Sequence, residues 1–181
     1  MESEIRIIES LVLKNRDDRS MLWSIYQHGF RELNKRTPIH HGAWDEQAFH
    51  DVLQDDDFTK YVVMIDRDLV GVCILTTHLE KIPWINAEFY YERFPKAHED
   101  DQLFFLPAVV IDPRHQDLRR IGAKLLHEAV ASLGQHAVLA VDYSETVRHR
   151  LPAFVNRSLR RDFQSEVLDR LVYQVFYETP S

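Results

Sequence analysis

Apolar and polar positions along this chain fall into two rhythms, one of period two and one close to 3.6. Residues 5–13, Ile5-Arg6-Ile7-Ile8-Glu9-Ser10-Leu11-Val12-Leu13, predict a first strand. Asp17 or Asp18 then offers a helix N-cap, and Met21, Leu22, Ile25, Tyr26, Phe30 and Leu33 recur at helical spacing. A loop through Pro38, His40, His41 and Gly42 leads to a short helix around 44–53, and Asp55-Asp56-Asp57 reads as a charged turn. Two β-rich runs, 61–65 and 69–75, joined by Asp66-Arg67-Asp68, predict an antiparallel hairpin. An aromatic stretch follows (Trp84, Phe89, Tyr90, Tyr91, Phe94), with Pro83 and Pro95 as boundaries and room for a helix between them. Residues 103–111 predict another strand, and Pro107 inside it predicts a bulge or a failure of ladder pairing. Leu118, Gly122, Leu125, Leu126, Ala129, Val130 and Leu133 mark an amphipathic helix that stops near Gly134, and 137–141 is a short buried strand. Strand, helix and strand from 103 to 141 therefore predict a parallel crossover. A helix over 145–159, with Pro152 starting or kinking part of it, and two strands near 162–167 and 171–177 complete the pattern. With no repeat or linker, the pattern predicts one α/β domain over 1–181, an α+β arrangement around a mixed sheet.

Composition narrows this. The chain has 181 residues, with 45% hydrophobic and 28% charged, which fits one core. No apolar run is long enough to span a membrane, and Met1-Glu2-Ser3-Glu4 lacks the basic and apolar regions of a secretory signal. The lone Cys73 excludes a disulfide framework and a thiolate zinc site, and agrees with a reducing, cytoplasmic setting. Only 5 glycines occur, against a usual share of about 7%. Gly29, Gly42, Gly71, Gly122 and Gly134 are too dispersed for a GxGxxG or a Walker phosphate loop. Any phosphate must be held with one glycine at most.

The formal charge of −7 argues against a nucleic-acid binder. Residues 114–161 nevertheless carry nine Arg or Lys and four Asp or Glu, a net +5 against −12 for the remainder. This is either a set of ordinary solvated helix faces or a basic mouth for a small anion. The stretch Val109-Val110-Ile111-Asp112-Pro113 followed by Arg114-His115-Gln116-Asp117-Leu118-Arg119-Arg120-Ile121-Gly122-Ala123-Lys124 bears on the choice. A strand runs through a polar loop into a helix, whose free opening amides and positive dipole end favour an anion. Arg119, Arg120 and Lys124 add charge there, and Gly122 lets a phosphate approach the backbone, or else serves helix packing.

This segment resembles the phosphate-binding turn of the GNAT superfamily of N-acyltransferases. There a valine-rich strand end and a proline lead to an Arg/Gln-x-x-Gly-x-Gly/Ala loop, and the next helix binds the coenzyme A pyrophosphate. Pro113 and Ile121-Gly122-Ala123-Lys124-Leu125-Leu126 match. Ile65-Asp66-Arg67-Asp68-Leu69-Val70-Gly71 is similar to the second and third strands, and the order of elements agrees over nearly the whole chain. Arg120 stands where the first glycine is usual and Asp117 at the Arg/Gln position, which Gln116 can serve instead.

The resemblance implies a mostly antiparallel sheet whose fourth and fifth strands are parallel and splayed, flanked by helices, with an acyl-CoA between them. Acetyl-CoA, the expected donor, would then lie against Val109, Val110, Ile111, Gln116, Arg119, Arg120, Ile121, Gly122, Ala123 and Lys124. An amine, small molecule or peptide, would attack the thioester directly, helped by positioning and oxyanion stabilisation, with no metal. The tyrosine acid of many relatives falls on Ser158, so Tyr143 is the substitute, with Tyr173 weaker. Glu145, His78 and Asp112 are the other ionisable candidates, each with a plain reading as a loop cap or solvated residue. His40 and His41 fall on the acceptor-side loop, and the aromatic stretch either walls an acceptor pocket or covers the sheet. A non-catalytic module that binds acyl-CoA or a protein partner is the alternative, and a homodimer stays open.

Overall fold

Asn15, rather than Asp17 or Asp18, starts the first helix. In the computed structural model, which describes residues 4–37, 43–115, 118–134, 136–143 and 166–170, its side-chain oxygen accepts from the Asp17 amide at 2.8 Å and from that of Asp18 at 3.4 Å. The two aspartates sit one step later, in the first turn, where the helix dipole favours them. Strand β1 (Ile5–Ser10) is also shorter than its apolar run. Leu13 turns inward and its amide donates to the Leu53 carbonyl, which pulls residues 11–13 off the sheet.

Helix α1 (Arg16–Asn34) leads to α2 (Glu46–Gln54), capped by the Asp45 carboxylate on the Ala48 amide at 2.8 Å. Trp44 therefore precedes the helix. It is buried against the rings of Tyr26, Phe49, Phe58 and Trp84. Strands β2 (Phe58–Ile65) and β3 (Asp68–Thr76) form the expected hairpin, extended at both ends. A two-residue turn joins them, with Asp66 left-handed at φ 56° and fixed by hydrogen bonds to Glu4 and Arg6. After one 3-10 turn, α3 (Ala87–Arg93) and α4 (Pro95–Glu99) occupy the aromatic stretch, and Tyr90 packs on Phe105 at 6.2 Å. The stretch covers the sheet. Strand β4 (Leu103–Ile111), helix α5 (Leu118–Ala131) and β5 (Val138–Ala140) follow.

The five strands lie in sequence order, antiparallel from β1 to β4, with β5 parallel to β4. Helices α1 and α2 pack on one face, over Phe58, Val62, Val72, Ile74, Phe105, Ala108 and Val110. Helix α5 packs on the other, over Tyr61, Val63, Val70, Cys73, Leu75 and Leu106.

Two extra residues shift the strand register. Ile74 faces Ala108 but Thr76 faces Phe105, so β4 carries one more residue than β3 around Leu106 and Pro107. Without it, Ala108 and Val110 would turn to the α5 face. On β3, Val70 is the extra residue, since Val63 faces Gly71 and Met64 faces Leu69. Its carbonyl takes the Asp112 amide at 2.8 Å.

The expected strand near 162–167 does not reach Glu166 and Val167, which are exposed and outside any regular element. The helix over 145–159 and the strand near 171–177 lie outside the described residues. Among the described residues, no helix is long and apolar enough to cross a membrane.

Candidate functional site

The parallel pair β4–β5 holds for three rungs only, Leu103 with Val138, Phe104 with Leu139 and Phe105 with Ala140. It ends where the Leu106–Pro107 bulge begins. Proline has no amide to donate to a ladder, and the bulge bends β4 at that point. From Leu106 to Ile111 the β5 side of β4 has no strand partner among the described residues. Among the described residues no strand pairs with this row of backbone donors and acceptors, the kind of edge that an extended ligand can join.

The strand leads directly to α5. Val110 is buried under α1, against Gly29, whereas half-buried Val109 and Ile111 face α5. The Ile111 side chain occupies the space beside Gly122, where a Cβ would lie 3.2 Å from Ile111 Cδ1. Gly122 therefore allows close packing of α5 on β4, and this packing sets the first turn of α5 at the mouth of the cleft. Arg120 is exposed in that turn; Ala123 is half-buried; Ile121 is buried among the core side chains, leaving its backbone as its contribution. Lys124 points elsewhere: its ammonium donates to the Ile5 carbonyl at 2.6 Å, on the β1 side of the helix. Gln116 and the side chain of Arg119 lie outside the described residues.

The loop between β4 and α5 is pinned by Asp112, only 4% exposed. Its carboxylate accepts from the Arg114 amide at 3.0 Å, from Nε at 2.9 Å and from Nη2 at 2.5 Å. The Arg114 hydrogen bonds hold this carboxyl below the usual carboxylate range. Asp112 is thus a loop lock rather than a free base.

The proton-transfer candidates are separated. Half-buried Tyr143 comes three residues after Ala140, on the β5 side of the opening. His78 follows Thr76, which pairs with Phe105 from the opposite side of β4. Its ring nitrogens face Asp57 at 3.4 Å and Glu80 at 3.2 Å. Glu145, His40, His41, Ser158 and Tyr173 lie outside the described residues.

One charged residue escaped the sequence reading. Lys60 is fully buried between Phe58 and Val62 on the apolar face, and its ammonium donates to the backbone carbonyls of Leu11, at 2.6 Å, and Asp55. Burial pushes its pKa down to about 8. The only signal was its place in the alternation of β2. Asp55, Asp56 and Asp57 hold their carboxylates within 4.8 Å of one another, and Lys81 pairs with Asp55 at 2.7 Å and with Asp57. Lys60 and Lys81 thereby balance the charged turn.

An antiparallel sheet in sequence order, a short parallel β4–β5 pair that separates at a bulge, and a helix starting at the mouth of the gap define the GNAT fold. No protein-family model matches the chain, and no curated protein matches it in sequence. Solved structures do match. An aminoglycoside acetyltransferase, meta-AAC0020 from an uncultured soil metagenomic sample, solved with sisomicin, superposes with a TM-score of 0.53 at 13% identity, over 94% of this chain and 96% of its own. Aminoglycoside N-acetyltransferase AAC(6')-Iy, solved with CoA, gives 0.51 at 10% identity, over 94% and 97%. FeeM, an N-acyl amino acid synthase from uncultured soil microbes, gives 0.50 at 13%, over 81% and 76%. The likeness is one of fold, and the neighbours that share it are acyltransferases.

Proposed function

We propose that this protein transfers an acyl group, acetyl in the first instance, from acyl-CoA to an amine. The observation that carries the reading is the parting of β4 and β5 after Phe105 and Ala140, at the bulge, in line with the start of α5. Backbone groups of Val109 and Ile111 pair with the pantetheine arm, as a third strand would. An amide freed near Ala108–Val109 polarises the thioester carbonyl, and the opening amides of α5, with Arg119 and Arg120, hold the diphosphate. The amine nitrogen attacks the carbonyl carbon, the C–S bond breaks, and the proton lost by nitrogen replaces the one gained by the leaving thiolate. Tyr143, on the β5 side, is the donor to that thiolate. His78 serves the acidic turn instead, because its ring is taken by Asp57 and Glu80. Most of the rate comes from alignment and oxyanion stabilisation.

Thiol release from acetyl-CoA across a panel of amines tests this. Release above the no-amine blank, lowered about tenfold or more in Tyr143→Phe, supports the reading. Stabilisation of the fold by acetyl-CoA with no release on any amine sinks the enzyme and leaves a binding module.

A further inference from the structure

We propose that Asp112 is a positioning residue that fixes the Arg114 guanidinium as a phosphate-binding edge at the mouth of the β4–β5 cleft. This rests on the acyl-CoA reading above. A carboxylate in a loop is ordinarily left in water, yet the Asp112 side chain is 6% exposed beside an Arg114 side chain that is 75% exposed. An exposed arginine free to rotate surrenders rotamer entropy when it clasps a ligand. Here that loss is taken in advance. Nε and Nη2 of Arg114 both donate to Asp112, which fixes the plane of the guanidinium, and Nη1 takes no part in the pair on a side chain that is mostly exposed.

The carboxylate is itself anchored. The Asp112 amide donates to the Val70 carbonyl at 2.8 Å, Oδ1 accepts from the Arg114 amide, and the Asp112 carbonyl accepts from the His115 amide at 3.2 Å. Two backbone–backbone bonds therefore hold the residue and a third, from the Arg114 amide, orients its carboxylate, and through it a second side chain, in the loop that follows β4. The cation faces outward and the anion is buried behind it. A phosphate arriving at this loop meets a fixed guanidinium rather than a mobile one, and preorganisation of this kind raises affinity without a new contact.

Charge and positioning make opposite forecasts for one substitution. Asp112→Asn adds one positive charge to the loop, so charge alone would tighten the binding of a polyanion. Loss of positioning weakens it. Calorimetry of coenzyme A binding to the full chain separates them. We expect Arg114→Gln to weaken binding about tenfold, Asp112→Asn to weaken it about threefold to tenfold despite the added charge, and the double variant to bind no worse than Arg114→Gln. Unchanged or tighter binding in Asp112→Asn overturns the proposal, as do additive losses in the double variant or unchanged binding in Arg114→Gln. Should Asp112→Asn fail to fold, Arg114→Gln still decides, since that side chain is mostly in solvent. Wild-type protein that binds no coenzyme A at millimolar concentration removes the acyl-CoA reading as well; wild-type binding with unaffected variants removes this proposal alone.

Discussion

The δ-methyl of Ile111 sits 3.2 Å from where a side chain at Gly122 would begin. The end of β4 and the first turns of α5 are thus fitted to each other through the absence of one carbon. Gly122→Ala asks for a shift of a few tenths of an ångström while gaining up to about 1 kcal/mol of helix propensity, so its stability should stay within about 1 kcal/mol of wild type. Gly122→Glu brings bulk and a negative charge to the proposed diphosphate site and should abolish acetyl-CoA binding. Titration calorimetry on both variants checks this; retained affinity in the glutamate variant would show that the coenzyme lies elsewhere.

Deleting Pro107 should be far worse than replacing it. Pro107→Ala keeps the residue count of the bulge and should cost less than about 1.5 kcal/mol. The deletion moves either Ala108 and Val110 or Leu103 and Phe105 from the α1 face to the α5 face and carries their alternating neighbours the other way, so both cores receive side chains of the wrong size. Thermal melts should give a cooperative transition for the substitution and none for the deletion.

These cases show which parts of the molecule were legible in the chain. The hairpin, the crossover and the Pro107 irregularity were readable because each rests on local chemistry: a two-residue polar turn, a 3.6-residue apolar stripe, a missing amide. The cap of α1 lies two or three residues before Asp17 or Asp18, because Asn15, Asp17 and Asp18 are equally good capping types and only the entry path from Leu13 decides among them. Lys60 and Asp112 were illegible as buried charges. The Lys60 ammonium is held by a carbonyl from a distant segment, at Leu11, and the Asp112 backbone is docked by another, at Val70, while its carboxylate is paired with Arg114 two residues on; neither distant carbonyl has a signature beside the charge itself. The mouth of the site was visible as a strand–loop–helix sequence, whereas the direction of each cation was not. Lys124, read as facing the helix start, instead reaches β1.

Lys60 predicts a pH dependence with a definite sign. The unfolded chain keeps its lysine proton to about 10.4, while the folded site releases it near 8. Between those values the unfolded state binds more protons, so stability rises with pH. Against Lys60→Met, which cannot titrate, the wild type should gain about 1–2 kcal/mol between pH 7.5 and 9.5, read from urea midpoints. A pH-independent difference would mean that the ammonium stays charged throughout.

Gly29 predicts a coupled pair. A Cβ there would run into Val110 Cγ2, so Gly29→Ala should destabilise by about 1–3 kcal/mol despite its helix propensity. In Gly29→Ala/Val110→Ala the obstructing methyl is gone, and the double variant should be about 1 kcal/mol or more better than the sum of the single losses. Strict additivity in chemical denaturation would place the two residues out of contact.

The extra residues at Val70 and Pro107 act together on the length of the chain. Between them, Gly71–Ile74 faces Ala108–Ile111 in a block of four rungs, with a frame shift at either end. A length change in the β2–β3 turn can be absorbed at the first shift, and one near the start of β4 at the second. The wall of the cleft is in this sense insulated: its reading frame is independent of its surroundings, and neighbouring loops can vary in length while the groups facing the ligand stay in phase.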